Sequence, residues 1–403
     1  MKIAYILSRF PKLSETFILR EIVELKKNNF EIEIFSLKNF KKNELIHKEA
    51  ENFLNNTNYS PYFLSKKLIS ANIYFLYKSP LEYLRLISYI IKHNYKSISS
   101  LIKSFIIFPK SLYFAKIIMN KKIEHIHAHW ATFPTLTAVI INKLTIIPFS
   151  FTAHANDIFT DLQNIKTYSN NAKKVITISN YNKKYMIDRF GINKDKIEVI
   201  HCGVNLYKFK PIKSNKCNKL NILSIARLTE KKGIKYLIEA CKILEGKRIN
   251  FECVILGEGP RKKNLQKLIN IYKLNKNVKL IGHATQEEIL KEFKKCNIFI
   301  LPCIEARNGD RDGIPVSLME AMALGVPAIS THISGIPELI KNEFNGILIP
   351  PKNSKTLSEA IIKLKNDLYL FKKISKNSPI IIKKHFNIKK NIKKLIKIFT
   401  ENA

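Results

Sequence analysis

Apolar positions along this 403-residue chain alternate between two periods. Short unbroken apolar runs mark buried strands, and apolar residues spaced three and four apart mark helices. Residues 3–7 (Ile-Ala-Tyr-Ile-Leu) read as a first strand. Ser14 is placed to cap a helix whose apolar face is Phe17, Ile18, Ile22 and Leu25, and 31–37 is the next strand. This order predicts a parallel sheet with crossover helices. From Tyr62 to Met119 the pattern turns helical and dense in aromatic and aliphatic residues. There Leu81, Leu84, Ile87, Ile90 and Ile91 keep helical spacing, with Lys92, Lys96, Lys103 and Lys110 interspersed. Two readings stand: a core-facing stripe with a solvated Lys face, or a basic, aromatic-rich surface lying on anionic lipid. Alternation resumes with strands at 125–129, 149–152, 174–178 and 198–200.

The polar, Pro-containing stretch 209–218 reads as a linker. A second series follows, with strands at 221–226, 251–256, 279–281, 298–301 and 328–330, and a helix at 236–244. Gly at strand ends suits a doubly wound sheet that binds its ligand at the strands' carboxyl ends. After Pro351 the pattern is helical, and 385–399 is amphipathic and Lys-rich. The expected organisation is α/β: a Rossmann-like domain over 1–208 with a helical, basic region near 60–120, the linker, a second Rossmann-like domain over 219–384, and a C-terminal helix over 385–403 packing back on the first domain. Two such halves imply a cleft between them.

Charge sharpens the picture only partly. The net charge of +37 favours anionic partners, whether nucleic acid, acidic membrane or phosphorylated substrate. Most of it is Lys, in a chain also rich in Ile and Asn, which an AT-rich coding sequence gives without selection for binding. The six Cys (Cys202, Cys217, Cys241, Cys253, Cys296, Cys303) include no CxxC pair, so a reducing cytosol fits. The first apolar run is too short for a signal peptide and no stretch is long enough to span a membrane, so the expected location is cytoplasmic, as a soluble or peripheral protein.

Candidate chemistry centres on residues 312–320, where Asp312 and Glu320 flank a predicted helix start after the apolar strand 298–301. Free backbone N–H groups and the helix dipole there favour an anion. Arg227 follows the strand 221–226, and Lys232-Gly233 comes five residues later. Two cations on one strand-end loop suit a diphosphate: Arg offers a planar fork, Lys a point charge. Together these residues suit a phosphorylated, hydroxyl-rich ligand.

The segments Ile-Ala-Arg227-Leu-Thr-Glu-Lys-Lys-Gly233, Gly257-Glu-Gly-Pro260, Gly282-His-Ala284 and the acidic pair with seven residues between resemble family 4 glycosyltransferases, retaining enzymes of the GT-B architecture that use nucleotide-sugar donors. The N-terminal Ser8–Phe17 segment, His127-Ala-His-Trp130 and the run 149–158 are similar to the exopolysaccharide branch, including colanic-acid-type transferases. The resemblance covers nearly the whole chain and is weakest at 45–119. It implies that Glu320 holds ribose hydroxyls and Asp312 donor-sugar hydroxyls, where the family usually has Glu. Backbone amides of Gly313, Ile314, Pro315 and Val316 would line the sugar and diphosphate, with Pro315 contributing only backbone and ring. Arg227 and Lys232 would neutralise the leaving diphosphate, and Glu258, Gly259, His283 and Ala284 would flank the base. His154 would lie near the anomeric centre, with Asp157 capping the helix after it. The implied catalytic set is thus His154, Arg227, Lys232 and Asp312.

The family's glycine pair after the first strand is missing, so acceptor contacts fall to side chains: Arg9, Lys12, Ser14 and Glu15. A second departure is Asn205, where the family often has Asp. His125, His127 and His129 alternate on one strand face, which suits packing, an acceptor role for His129, or zinc without a convincing fourth ligand; the resemblance implies no metal and no cofactor. Implied partners are a UDP- or GDP-sugar and a saccharide or lipid-linked oligosaccharide acceptor at the inner membrane face. No acid on the N-terminal side is well placed as a nucleophile, and the resemblance implies a front-face route. A sugar-nucleotide epimerase of the same fold is the alternative reading. Nucleic-acid binding is excluded by the lack of RRM or zinc-finger spacing.

Overall fold

The structure, a computed structural model, describes every residue except 41–43, 63–64, 161–163, 213–218 and 402–403. Most of the predicted linker, with Cys217, lies outside the described residues. The chain divides into two compact units, the first holding Met1–Ile178, Asn182–Ile200 and the end of the last helix from Ile392, the second Ser179–Tyr181 and His201–Asn391.

In the first unit β1 (Lys2–Leu7), α1 (Thr16–Lys27), β2 (Glu31–Ser36), α2 (Lys48–Glu51) and β3 (Thr57–Tyr59) come first. Three helices follow: α3 (Lys66–Lys78), α4 (Pro80–Asn94) and α5 (Ile98–Asn120). Then come β4 (His125–His129), α6 (Phe133–Thr145), β5 (Phe149–Ala153), α7 (Asn156–Phe159), α8 (Ile165–Asn171), β6 (Lys174–Thr177), α9 (Asn180–Phe190) and β7 (Ile197–Val199). The seven-stranded sheet has order β3-β2-β1-β4-β5-β6-β7, and every described pairing is parallel. A parallel sheet covered on both faces makes each strand a continuous apolar run, which is why these strands are legible. The α1 stripe Ile18, Ile22 and Leu25 is buried as expected, joined by Leu19. Ser14 does not cap this helix: the N-cap position is Glu15, whose carboxylate is ion-paired with Lys12 instead of a backbone amide.

The α4 stripe is divided between the two readings. Ile90 is buried, with Leu86 and Asn94, whereas Leu81, Leu84 and Ile91 are 70%, 57% and 45% exposed. Period alone reports that a stripe exists, and α4 carries one on each side.

In the second unit the elements are β8 (Leu220–Ile225), α10 (Ile234–Gly246), β9 (Phe251–Leu256), α11 (Lys262–Ile271), β10 (Val278–Ile281), α12 (Gln286–Lys295) and β11 (Ile298–Leu301). They continue with α13 (Val316–Ala323), β12 (Ala328–Thr331), α14 (Ile336–Leu339), β13 (Ile347–Ile349), α15 (Ser354–Asn366) and α16 (Leu368–His385), and the last helix, α17 (Ile388–Thr400), only begins in this unit. The six-stranded parallel sheet has order β10-β9-β8-β11-β12-β13. Residues 201–208, read from sequence as part of the first domain, belong to the second unit. Val204 donates its N–H to the Phe386 carbonyl at 2.8 Å, and Val204 and Phe209 lie in this unit's core. The end of α17 instead supplies Ile392, Leu395, Ile398 and Phe399 to the core of the first unit beside Ile3, Tyr5 and Ile22. No helix among the described residues is long and apolar enough to cross a membrane.

Candidate active site

Both sheets reverse strand order at one point, and there the loops leaving two neighbouring strands open a crevice at their carboxyl ends. In the second unit those strands are β8 and β11. The loop after β8 carries exposed Arg227 and then Lys231, Lys232 and Gly233. The loop after β11 carries Cys303, Asp310 and Asp312 into α13.

Gly233 makes this junction possible. Its φ is +65°, and a Cβ there would lie 1.8 Å from the Pro302 carbonyl oxygen, a backbone atom that cannot yield. The β8 loop thus lies directly on the end of β11, with Ile304 N–H donating to the Lys231 carbonyl at 2.8 Å. The side chains follow: Lys232 Nζ is 2.8 Å from Asp312 Oδ2, Lys231 Nζ is 3.0 Å from Asp310 and 3.7 Å from Asp312, and Cys303 Sγ donates to Asp312 at 3.4 Å. Burial alone would lift the Asp312 pKa, but Lys232 and Lys231 outweigh it and hold the carboxyl below its usual range. Burial likewise pulls Lys232 down, and Asp312 more than restores it, so its pKa is raised. The two residues assigned separately, one to the sugar and one to the diphosphate, are therefore one ion pair here. Lys231 and Cys303 were not singled out from sequence; the Lys-Lys doublet was the available signal for the first.

Glu320 is buried in α13, and the α13 N-cap, Pro315, makes no side-chain cap bond. Gly313, Ile314 and Pro315 are buried at the entry to that helix, and Val316 is its first residue. On the neighbouring loop Glu258 is ion-paired with Lys262, which holds its pKa down. Gly257 and Gly259 bring this loop against the β8 loop: Leu228 N–H donates to the Glu258 carbonyl at 2.8 Å. His283 is exposed and Ala284 half-buried after β10.

In the first unit the order reverses between β1 and β4. After β1, Arg9 pairs with Glu44 and Lys12 with Glu15, and all but Glu44 line a small cavity with Phe10 and His47. Ser14 is exposed nearby.

The alternating histidines of β4 form a hydrogen-bonded interior instead of a surface. His125 Nε2 and His127 Nδ1 both meet Ser150 Oγ at 2.8 Å, and His127 Nε2 meets Thr152 Oγ1 at 3.0 Å. His129, expected on the acceptor side, is 1% exposed with both ring nitrogens engaged: Nε2 with Glu21 at 3.0 Å and Nδ1 with His154 Nε2 at 3.0 Å. Tyr5 Oη donates to the same Glu21 oxygen at 2.8 Å. A carboxylate only accepts, so His129 Nε2 donates to Glu21, and the other ring nitrogen of His129 shares a hydrogen bond with His154 Nε2. Burial first, then His129, depresses the His154 pKa well below the usual value, so the ring is neutral at neutral pH. Burial and Lys173 likewise push His125 down to about 3.

Glu21, His127 and His129 also place one ligand atom each within 4.8 Å, a grouping able to hold a metal ion. Every nitrogen of the two rings already has a partner from the protein, so the cluster is complete as a hydrogen-bonded network. Glu21 was missed from sequence, although it lies at helical spacing between Ile18 and Leu25 on a buried face, where a lone acid is a signal.

Asp157 does not occupy the N-cap of α7, which is Ala155. Its buried carboxylate accepts from the N–H groups of Ala131 (2.7 Å), Ala155 (2.9 Å) and His154 (3.1 Å), tying the loops after β4 and β5 together around His154. Burial outweighs these bonds and pushes its pKa up to about 6. Phe17 and Trp130 pack on the His154 ring with centroids 4.7 and 4.5 Å away.

Residues 15–208 match the model "Glycosyltransferase Family 4" and residues 208–380 match "Glycosyl transferases group 1". The chain is 38% identical over 177 residues to the putative colanic acid biosynthesis glycosyltransferase WcaL of Escherichia coli K12, covering 43% of each chain. It is 42% identical over 175 residues, 43% of each, to the amylovoran biosynthesis glycosyltransferase AmsK of Erwinia amylovora. These matched stretches thus span under half the length of those relatives. A third, from E. coli, is named UDP-Gal:alpha-D-GlcNAc-diphosphoundecaprenol alpha-1,3-galactosyltransferase, at 30% identity over 57% of this chain and 60% of the relative. Among solved structures, a glycosyltransferase from Rickettsia africae superposes with TM-score 0.73 at 20% identity, over 100% of this chain and 99% of that one. Anabaena Alr3699/HepE in complex with UDP and glucose superposes with TM-score 0.74 at 16% identity over 100% of both chains. The fold is GT-B.

Proposed function

The chain belongs to the family 4 glycosyltransferases, and from that premise we propose that it moves a sugar from a nucleotide diphosphate to a hydroxyl of a growing surface polysaccharide. The observation that carries this reading is the junction of the β8 and β11 loops, where Lys231 and Lys232 gather beside Asp312 and the uncapped start of α13. Lysine charge and free helix amides suit a diphosphate, and Glu320 in the same helix suits a vicinal diol. UDP is the favoured nucleotide because it is the one bound to the superposing Anabaena protein. The acceptor proposed is lipid-linked, in line with the printed name of the E. coli galactosyltransferase.

The mechanism we assign is retention by a front-face route. Bond breaking puts charge on the leaving diphosphate; Arg227, Lys232 and the α13 dipole stabilise it, and the departing phosphate oxygen takes the acceptor proton. His154, held by Asp157 through its backbone and by His129 through its ring, orients the donor sugar. Because the chain supplies these cations itself, the reaction is proposed to need no metal, and chelator should leave turnover unchanged.

The test is a thermal-shift screen of UDP-, GDP- and ADP-sugars, since a ligand that binds the native state raises the melting point. It is followed by incubation of the best donor with and without polyprenyl-diphosphate saccharides. UDP-sugar stabilisation with acceptor-dependent release of UDP is expected. Interconversion of the donor sugar without acceptor would return the chain to the epimerase reading.

A further inference from the structure

The three helices α3, α4 and α5 pack on one another and each keeps its own core face: Leu68 and Phe75 on α3, Leu86 and Ile90 on α4, Phe108 and Leu112 on α5. Each also carries a second apolar stripe in solvent. On α3 it includes Ile73 and Tyr77, 48% and 83% exposed. On α4 it is Leu81, Leu84 and Ile91. On α5 it runs from Ile98 to Ile102 and Ile106, 74%, 56% and 42% exposed. So many large apolar side chains in solvent on three helices packed together are unusual for a soluble monomer. A helix apolar on two sides needs a second apolar environment.

The charge around these stripes says which environment. Residues 62–122 hold eleven Lys and Arg and a single acid, Glu82, against 69 to 32 in the whole chain. Glu82 is itself ion-paired with Arg85. A codon-driven excess of Lys would not also strip out the acids here while leaving them elsewhere. Lysine ammonium groups lie over the aromatic rings: Lys78 and Lys116 Nζ sit 5.2 and 4.9 Å from the Tyr74 centroid, and Lys96 Nζ 5.9 Å from that of Tyr95. These cation–π contacts interleave the charge with the aromatic surface. A second copy of the chain is a poor occupant, because a two-fold contact would set this cationic face against itself.

We propose that the outward face of α3–α5 docks on an anionic lipid bilayer, with its Ile, Leu and Tyr side chains among the acyl-chain ends and its lysines at the lipid phosphates. The proposal builds on the lipid-linked acceptor above, but its test contains no sugar, so the two readings fail separately.

The full-length protein is floated with vesicles of phosphatidylcholine alone or with added phosphatidylglycerol, at low and high salt. Binding should require phosphatidylglycerol and weaken with salt. The triple variant Lys92→Gln, Lys96→Gln, Lys103→Gln should lower the partition coefficient by on the order of a hundredfold. Leu81→Asn with Ile98→Asn and Ile102→Asn should lower it at least about tenfold. These side chains are exposed, so circular dichroism and the melting point should not change. Equal binding by wild type and both variants, or equal binding to neutral vesicles, would overturn the proposal. So would light scattering that shows a dimer which the apolar variant dissociates.

Discussion

Replacing Asp312 by Asn removes one charge from a site where three groups converge on it. Lys232 Nζ lies 2.8 Å from its carboxylate and Lys231 Nζ 3.7 Å, with side chains only 13–17% exposed. At an effective dielectric of about 20 the first contact alone is worth roughly 6 kcal/mol of gross attraction, most of it offset by desolvation. Removing one partner of a buried pair costs about 3–5 kcal/mol because the other charge is left behind. Lys231 keeps Asp310 at 3.0 Å, so the lower end applies, about 3 kcal/mol. For a unit of this size that is a fall in Tm of roughly 6–12 °C. The pair's pH dependence has a definite sign. The Asp312 pKa is lowered, so its stabilisation is present above the ordinary carboxylate value and lost as pH falls through the folded value. The Lys232 pKa is raised, so its share is present below the ordinary lysine value and lost as pH rises past the folded one. Between those limits the deficit of the variant should be constant, closing below about pH 4 and again at alkaline pH once Lys232 loses its proton. Ligand binding separates two roles. If Asp312 chiefly restrains Lys232, the Asn variant should bind UDP more tightly while turnover falls. If Asp312 touches the sugar, UDP binding should hold and UDP-sugar binding should weaken. Calorimetric titration of both ligands against wild type and variant reads this directly. An unchanged Tm together with weaker UDP binding would refute the reasoning.

Other expectations follow from single contacts. Gly233→Ala places a Cβ 1.8 Å from the Pro302 oxygen at a φ of +65°, so urea melts should show at least about 3 kcal/mol lost, with UDP binding impaired. Asp157 titrates near 6 in the folded chain, above its unfolded value. The native state therefore binds more protons in that window, and stability should fall by about 3 kcal/mol as pH rises from 4 to 6, then stay level. Asp157→Asn should abolish that slope. Glu21→Gln weakens the bond that sets the His129 tautomer, and should reduce kcat about tenfold with UDP affinity unchanged. Nitrogen-15 shifts of His129 and His154 should move with it; unmoved shifts would exclude the proposed coupling.

Legibility in the sequence followed burial. Both sheets were visible because their central strands are buried on two faces and read as apolar runs. The short strands β3, Thr-Asn-Tyr, and β13 were missed: the first is polar, and three residues give no period. The second-unit site could be read because its residues sit on strand-end loops close in sequence to the strands that place them. The Tyr5–Glu21–His129–His154 chain could not, since it joins four separate elements and no spacing records that. Leu81 and Leu84 show a different limit, as the spacing showed a stripe and left open which way it faced. Only the packing of α3 and α5 against α4 decides which side is inside.

Residues at the end of α17 fill the core of the first unit, where the Phe399 ring is fully buried and lies 5.0 and 5.2 Å from the His125 and His127 rings. On the ribosome these residues emerge after the whole second unit. The first unit is thus the first to be made and the last to be completed, and until residue 399 appears the His125 and His127 rings of its central strand lack their apolar cover. A nascent chain stalled or terminated in the last dozen codons would carry an intact second unit beside an unfinished first one. That species would be recognised by its exposed β4 surface, the sort of exposure chaperones and proteases act on.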